Sequence, residues 1–261
     1  MSHKTDFNFG ANWESYSDKV IDPSRLTVAG ASLGDLVGLS KLRGSSFLDV
    51  GSGTGMFSIA AAQLGASEAV GLDVNPTCVE VAKRNAKIFI RDDKRPRFEL
   101  MSILEEPRIG SLGLYDVVYA WGSLHHTGRM HDAIRNAAGR VKPGGTFVLA
   151  IYNRHWTSGI WKVIKIVYNL SPKWLQKVWA WFFSGVIFLA KFAVTGKNPL
   201  KMERGMDFYH DVVDWIGGYP YEYASVDEIK TFVEPLGFKT LRVIPAKVPT
   251  GCNEFVFEKC S

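Results

Sequence analysis

A short apolar run, Phe47 to Val50, breaks into Gly51-Ser-Gly-Thr-Gly55, and helix-forming sequence follows from Met56 to Leu64. Twenty-two residues past Gly51, a second apolar run, Ala69 to Leu72, ends on Asp73. Strand, glycine turn, helix, strand and terminal acid together form a nucleoside-binding βαβ unit. The glycines let the backbone come close to a ligand, and a carboxylate at the tip of the second strand can accept both ribose hydroxyls. Spacing then selects the nucleoside. A dinucleotide fold wants G-x-G-x-x-G, with a pyrophosphate on the helix N-terminus. Here the third glycine arrives one residue early and Met56 stands in its place, which disfavours a nicotinamide-cofactor oxidoreductase.

The run Asp49-Val-Gly51-Ser52-Gly53-Thr-Gly55 resembles the first motif of class I S-adenosylmethionine (SAM) methyltransferases, whose cofactor has no phosphate to cradle. Asp116-Val-Val-Tyr-Ala-Trp-Gly-Ser-Leu-His-His-Thr-Gly128 and Val141-Lys-Pro-Gly-Gly-Thr-Phe147 are similar to the second and third motifs of the small-molecule branch that includes ubiquinone and menaquinone methyltransferases. The resemblance runs from about Phe47 to Glu258, apart from an insertion after the fifth strand. It implies SAM as cofactor, held by Asp49, Gly51, Ser52, Gly53, Gly55, Asp73 and Val74, with Trp121 at the end of strand four. Many relatives offer an Asp to the adenine after strand three; this chain reads Met101-Ser102-Ile103, so the Ser102 hydroxyl stands in, beside Ile103. In relatives an N-terminal segment folds over the cofactor. Trp13 and Tyr16, ahead of a helical run from Ser24 to Leu39, either serve that lid or pack on the sheet edge.

Strands are expected at 97–101, 115–120, 146–151, 238–244 and 253–258. Helices are expected over 76–86 (Asn75 as N-cap, Pro76 first), over 130–141 with Lys142-Pro-Gly-Gly145 as its stop, and over 226–236. Alternation at this rhythm predicts an α/β fold, a Rossmann-like doubly wound sheet of seven strands with the last antiparallel. The expected organisation is a lid segment (1–44), the SAM-binding core (45–153), a helical insertion (154–224) and the C-terminal part of the core (225–261).

The insertion holds the chain's basic character. Between Arg154 and Gly205 nine Lys or Arg face one acid, a net +8, which leaves −3 for the rest of a chain whose total is +5. Such localised charge argues against nucleic acid as a partner. Ile160, Trp161, Val163, Ile164, Val167 and Tyr168 form an apolar face, with Lys162, Lys165 and Asn169 on the polar stripe. After Ser171-Pro172, thirteen uncharged residues lie between Lys177 and Lys191, too few to span a bilayer, which takes about 20. Five of the eight tryptophans fall at 156–181 among these lysines. Two readings stand: an interfacial pair of helices on an anionic membrane surface, or a cap that buries its aromatics over the active site or in a homodimer contact. Three cysteines without metal-ligand spacing point to a reducing compartment, and the N-terminus lacks a signal-peptide core, so the expected location is cytoplasmic, with a peripheral contact at the inner membrane surface under the first reading.

Methyl transfer from a sulfonium is an in-line displacement in which the protein aligns the reactants and, for a hydroxyl acceptor, removes a proton. His125 and His126 follow strand four, at the carboxyl edge where such folds bind ligands. An ordinary histidine, with a pKa near 6.5, suits the task, and His126 is the expected base with His125 second. Tyr152, Asn153 and Arg154 leave strand five on the same edge as acceptor-orienting residues. Arg204 to Ala224, rich in His, Asp, Tyr and paired glycines, reads as a substrate-facing loop offering His210, Asp214, Tyr219 and Tyr221. With Gly251 to Phe257, which contributes Asn253, this stretch resembles a subgroup found among bacterial glycan and secondary-metabolite pathways. His210, Asp211 and Asp214 alone are too few for a metal site, and none is expected. The expected acceptor is a small-molecule, glycan or lipid-linked oxygen, with nitrogen or carbon as the alternative. A membrane-binding protein without turnover is the competing class, set aside because the glycine loop and Asp73 are intact.

Overall fold

The computed structural model describes residues 7, 22–90, 95–196, 198, 200, 208–249 and 251–261. Trp13 and Tyr16 lie outside them. In chain order the elements are α1 (Pro23–Val37), α2 (Leu39–Leu42), β1 (Ser46–Val50), α3 (Met56–Gln63), β2 (Glu68–Asp73), α4 (Pro76–Phe89), β3 (Arg97–Leu100), α5 (Glu106–Gly110), β4 (Tyr115–Trp121), α6 (Met130–Ala138), β5 (Val141–Tyr152), α7 (Ser158–Leu170), α8 (Lys173–Thr195), α9 (Phe208–Gly217), α10 (Val226–Val233), β6 (Phe238–Ile244) and β7 (Cys252–Lys259). One seven-stranded sheet has the order β3-β2-β1-β4-β5-β7-β6. Only β7 runs antiparallel, against both β5 and β6. Strand order reverses between β1 and β4, which opens a crevice at their carboxyl ends.

The inner strands β1, β2, β4 and β5 are buried along most of their length because helices cover both faces, whereas the edge strands β3 and β6 alternate with exposed residues. One cluster packs Leu48, Leu72, Val118, Phe147 and Phe255 against α6 and α10; another sets Phe47, Tyr119 and Val148 against α1 and α3. Helix starts follow their caps. Asn75 Oδ1 accepts from Thr77 N at 2.9 Å with Pro76 next, and Ser225 and Glu228 form a reciprocal capping box on α10.

Three expectations need correction. Helix α6 ends at Ala138, and Lys142-Pro-Gly-Gly145 belongs to β5: Val141 already pairs with Tyr115, and Lys142 Nζ reaches Asp116 (2.9 Å) and Ser46 Oγ (3.1 Å) across the sheet. Within the stretch read as a substrate loop, 208–217 is helical. Phe208, Val212 and Ile216, four apart, form a buried stripe that outweighs the polar residues between them. Helix α7 is rotated from the expected face: Trp161, Ile164 and Tyr168 pack inward and Lys162 is exposed as expected, but Lys165 is 1% exposed and Ile160, Val163 and Val167 face out. Lys165 turns inward because its ammonium finds the Trp215 carbonyl and lies over the rings of Tyr221 and Tyr152, at 4.6 and 5.4 Å.

The insertion leaves and rejoins the sheet at one place. Asn153 bridges Ala224 in parallel, Arg154 N donates to Ala224 O (3.1 Å), and Ala224 N donates to Tyr152 O (3.0 Å). Within it Tyr168, Ala180, Phe183, Ile187, Phe208 and Ile216 make a separate apolar cluster joining α7, α8 and α9.

Candidate active site

A cavity of about 1060 Å³ opens at the carboxyl edge of the sheet. Residues that follow β1, β2, β3 and β4 line one half, and the insertion closes the other with Trp161, Ile187, Asp211, Asp214 and Trp215.

The first half is the glycine turn. Gly51, Gly53 and Gly55 all take positive φ, at 77°, 54° and 78°, where a side chain is strained. Their neighbours add a second demand. A Cβ on Gly51 would lie 2.3 Å from Ser123 Cβ, and one on Gly55 would lie 2.7 Å from Phe98 Cζ. Both glycines therefore make room for packing neighbours, and Gly51 also lies on the cavity wall. Gly53 N donates to Asp73 Oδ2 (2.9 Å) and Asn75 N to Oδ1 (2.8 Å). An ionised carboxylate has about four lone-pair sites, and with the Val74 backbone donor also acting on it, acceptor capacity is left for a diol. Burial pushes the Asp73 carboxyl up, and the backbone donors from Asn75 and Gly53 oppose that shift.

Gly51, Ser52, Gly53, Asp73 and Val74 lie on the cavity wall, as do Ser102, Ile103 and Trp121. The Ser52 hydroxyl turns under the loop toward Gly71. Ser102 Oγ accepts from Leu104 N (3.1 Å), which leaves its proton to be donated. Asp49 and Gly55 do not line the cavity. Asp49 sits beneath the loop, 3% exposed, accepting from Ser58 Oγ at 2.8 Å. Burial foremost, and then the nearby Asp73 charge, push its carboxyl up to about 7 against the Ser58 bond.

The second half centres on the histidines. Both line the cavity in the turn Leu124–His126, ring centroids 4.4 Å apart, with His125 against Tyr152 at 4.1 Å. His126 Nδ1 lies 2.6 Å from Pro220 O. A carbonyl only accepts, so Nδ1 carries the proton and Nε2 is the basic nitrogen. Burial lowers the His126 pKa to about 3, the Lys165 charge adds to the effect, and the Pro220 carbonyl opposes it. His125, 1% exposed with no hydrogen-bond partner of normal geometry on either ring nitrogen among the described residues, is likewise held neutral by burial. The ordinary histidine of the sequence reading is therefore absent: both rings are uncharged at neutral pH.

Other expected acceptor residues have different places. Tyr152 and Asp214 line the cavity; Asn153, Arg154, His210, Tyr219, Tyr221 and Asn253 do not. Arg154 forms a two-point pair with Glu228 on α10, both bonds 2.8 Å. Asn253 Nδ2 donates to Asn153 Oδ1 (3.0 Å), and Asn153 Nδ2 donates to Pro249 O (2.9 Å), closing a loop of chain. Tyr221 packs on Tyr152 at 5.1 Å behind the wall, and His210 is buried in the insertion. Residues 219–224 work as a strap: Pro220 O fixes His126, Glu222 N donates to His125 O (3.0 Å), and Ala224 N holds Tyr152. Sequence reasoning missed Pro220 and Asp211 as wall residues. It also missed Phe7, which lines the cavity and donates its N–H to Tyr219 O (3.1 Å). Among the described residues no three His, Cys, Asp or Glu side chains are grouped to hold a metal ion.

Comparison with known proteins agrees with this geometry. A family described as a methyltransferase domain matches residues 29–192, well over half of the chain. The ubiquinone biosynthesis O-methyltransferase of Methylobacterium sp. (strain 4-46) is 32% identical over 144 residues, covering 55% of this chain and 54% of the relative. That of Coxiella burnetii (strain Dugway 5J108-111) is 26% identical over 193 residues, covering 69% and 79%. The chain thus spans about half the length of the first relative and most of the second. In fold it is similar to magnesium protoporphyrin IX methyltransferase from Synechocystis PCC 6803 with bound SAH (TM-score 0.59, 16% identity, 95% of this chain and 93% of that one). It is also similar to the N-methyltransferase NodS from Bradyrhizobium japonicum WM9 with SAH (0.56, 15%, 97% and 100%). The fold and the glycine–acid cradle define a class I nucleoside-cofactor transferase. The chain belongs to the methyltransferase-domain family, and it is a SAM-dependent methyltransferase.

Proposed function

We propose that this methyltransferase acts on an oxygen of a bulky, largely apolar small-molecule or lipid-linked acceptor. The observation that carries the proposal is the fixed tautomer of His126, which sets an unprotonated Nε2 beside one continuous cavity running from Asp73 to the aromatic wall of the insertion. When bound, SAM supplies a methyl already activated by the sulfonium. The residues do the rest. Asp73 and the glycine turn would hold the ribose end, Ser102 would meet the adenine, and Trp161 and Trp215 would pack the acceptor. The methyl–oxygen bond would form as the methyl–sulfur bond breaks, with S-adenosylhomocysteine as the leaving group; the hydroxyl would then turn acidic and its proton would pass to His126 Nε2. A base whose pKa is near 3 accepts it only then, late in the transfer, so the hydroxyl stays protonated until the methyl arrives. The names of the Methylobacterium and Coxiella relatives support oxygen as the methylated atom.

Asp211 and Asp214 on the wall favour a second reading, a cationic amine acceptor. Labelled-methyl transfer from SAM to matched phenols, alcohols and amines of rising alkyl length decides between them. We expect phenols or alcohols with long apolar tails to be methylated and His126→Gln to slow the transfer. Preferred turnover of amines, lost in Asp214→Asn and unchanged in His126→Gln, would replace oxygen by nitrogen. The proposed setting is a reducing compartment, the cytoplasm, in keeping with the lack of a disulfide among Cys78, Cys252 and Cys260.

A further inference from the structure

Helix α8 is apolar on nearly every side. A helix of that kind is ordinarily buried all round, but α8 is covered on one side only. Ala180, Phe183 and Ile187 pack inward on α7 and α9. On the opposite side Trp174, Val178, Trp181, Phe182, Leu189 and Phe192 face out, with Trp181 81% and Leu189 67% exposed. At about 100° per residue these six positions fall within one continuous face. On α7, Ile160, Val163 and Val167 are exposed as well. Single exposed apolar residues need no explanation, but a contiguous patch of this kind marks a contact surface.

What covers the patch is decided by its charge. No acidic residue occurs between Arg154 and Met202, and Lys162, Lys173 and Lys177 are exposed on the same two helices. Two copies of the chain meeting by a two-fold axis would set like patch against like patch, lysines included. An anionic bilayer supplies both the missing apolar phase and the missing negative charge. The uncharged stretch from Val178 to Ala190 is about 20 Å long, short of the roughly 30 Å core of a membrane, and among the described residues no helix is long and apolar enough to cross one. On a bilayer these helices would lie in its surface and not span it. The two helices also reach the cavity: Trp156, just before α7 and 80% exposed, and Ala190 of α8, also exposed, both line it.

We infer that the outward face of α7 and α8 seats the protein on an anionic lipid surface, with the cavity opening at the edge of that contact. The inference is independent of which atom is methylated, and its test reads binding, not turnover. The full chain is floated with vesicles of phosphatidylcholine and with vesicles of phosphatidylcholine and phosphatidylglycerol in equal parts, and SAM affinity is measured in parallel by calorimetry. We expect flotation with the second vesicles only, a blue shift of tryptophan fluorescence, and release by salt. Trp181→Glu with Leu189→Glu should weaken vesicle binding more than tenfold and leave SAM affinity unchanged. Lys177→Gln, which leaves the apolar face intact, should cost about fivefold. No flotation with either vesicle, equal flotation with both, or flotation unaffected by the double substitution would overturn the inference. So would a dimer in sedimentation velocity that Trp181→Glu disperses while vesicles are ignored, since the face then belongs to a second copy.

Discussion

Asp73 is gripped from two sides, by Gly53 N and Asn75 N, so its direction is set by the fold alone. Asp73→Ala removes two charge-assisted acceptors, and SAM binding should weaken by about 1.5–3 kcal/mol for each bond lost; calorimetry showing unchanged affinity would end the ribose assignment. Beneath it, Asp49 couples folding to pH. Its folded pKa of about 7 lies above the unfolded value of 3.8, so its carboxyl takes up a proton on folding. Its contribution to stability is full below about pH 4, falls as pH rises, and is lost above about pH 7. Thermal denaturation should show that decline in the parent protein and a flatter profile in Asp49→Asn; equal slopes would refute the account. Lys165 gives activity its own pH dependence. Burial lowers its pKa to about 7, and its charge opposes proton uptake by His126. The turnover number should therefore rise through about pH 7 as Lys165 loses its proton, and Lys165→Met should abolish that limb; a limb that persists in Lys165→Met removes Lys165 from the proton chemistry. Asp73 was legible from sequence because a strand-end acid at a fixed distance from a glycine turn has one common use. Lys165 was not, because a lysine opposite an apolar stripe reads as solvated until Trp215 and Tyr221, fifty or more residues away, are seen to face it.

At the scale of elements, periodicity succeeded where one kind of contact dominates. The strands and the helices over 76–86 and 226–236 declare themselves through apolar runs and caps that need only local partners. Helix α9 escaped because its stripe, Phe208, Val212 and Ile216, is interrupted by residues whose polarity serves the cavity. Helix α8 was read as either cap or membrane face; it has two sides, and the inner one is a cap. That inner side yields a separable test. Phe183→Ala should cost about 3–5 kcal/mol, the usual range for emptying a buried aromatic site, and should raise the KM for acceptor. SAM affinity should be retained, because the cluster lies across the cavity from the glycine turn. Loss of SAM binding in that variant would show the two halves to be one cooperative unit.

For the whole molecule, the doubly wound seven-stranded sheet with its antiparallel last strand was readable, and so was the position of the glycine turn and Asp73 at its carboxyl edge, since both follow from alternating strands and helices around one reversal of strand order. The acceptor half was not, because it is built from tertiary meetings between strand β5, the histidine turn and the far end of the insertion. The place where that insertion joins the sheet has a consequence for descent. Its two ends meet at Asn153 and Ala224, so in principle the whole segment is exchangeable as a cassette. Yet the returning end carries Pro220 and Glu222, which orient the two histidines. A lineage that trades one insertion for another to reach a new acceptor also replaces the groups that orient those histidines. Acceptor choice and proton handling are inherited together, and relatives that diverge in one should diverge in the other.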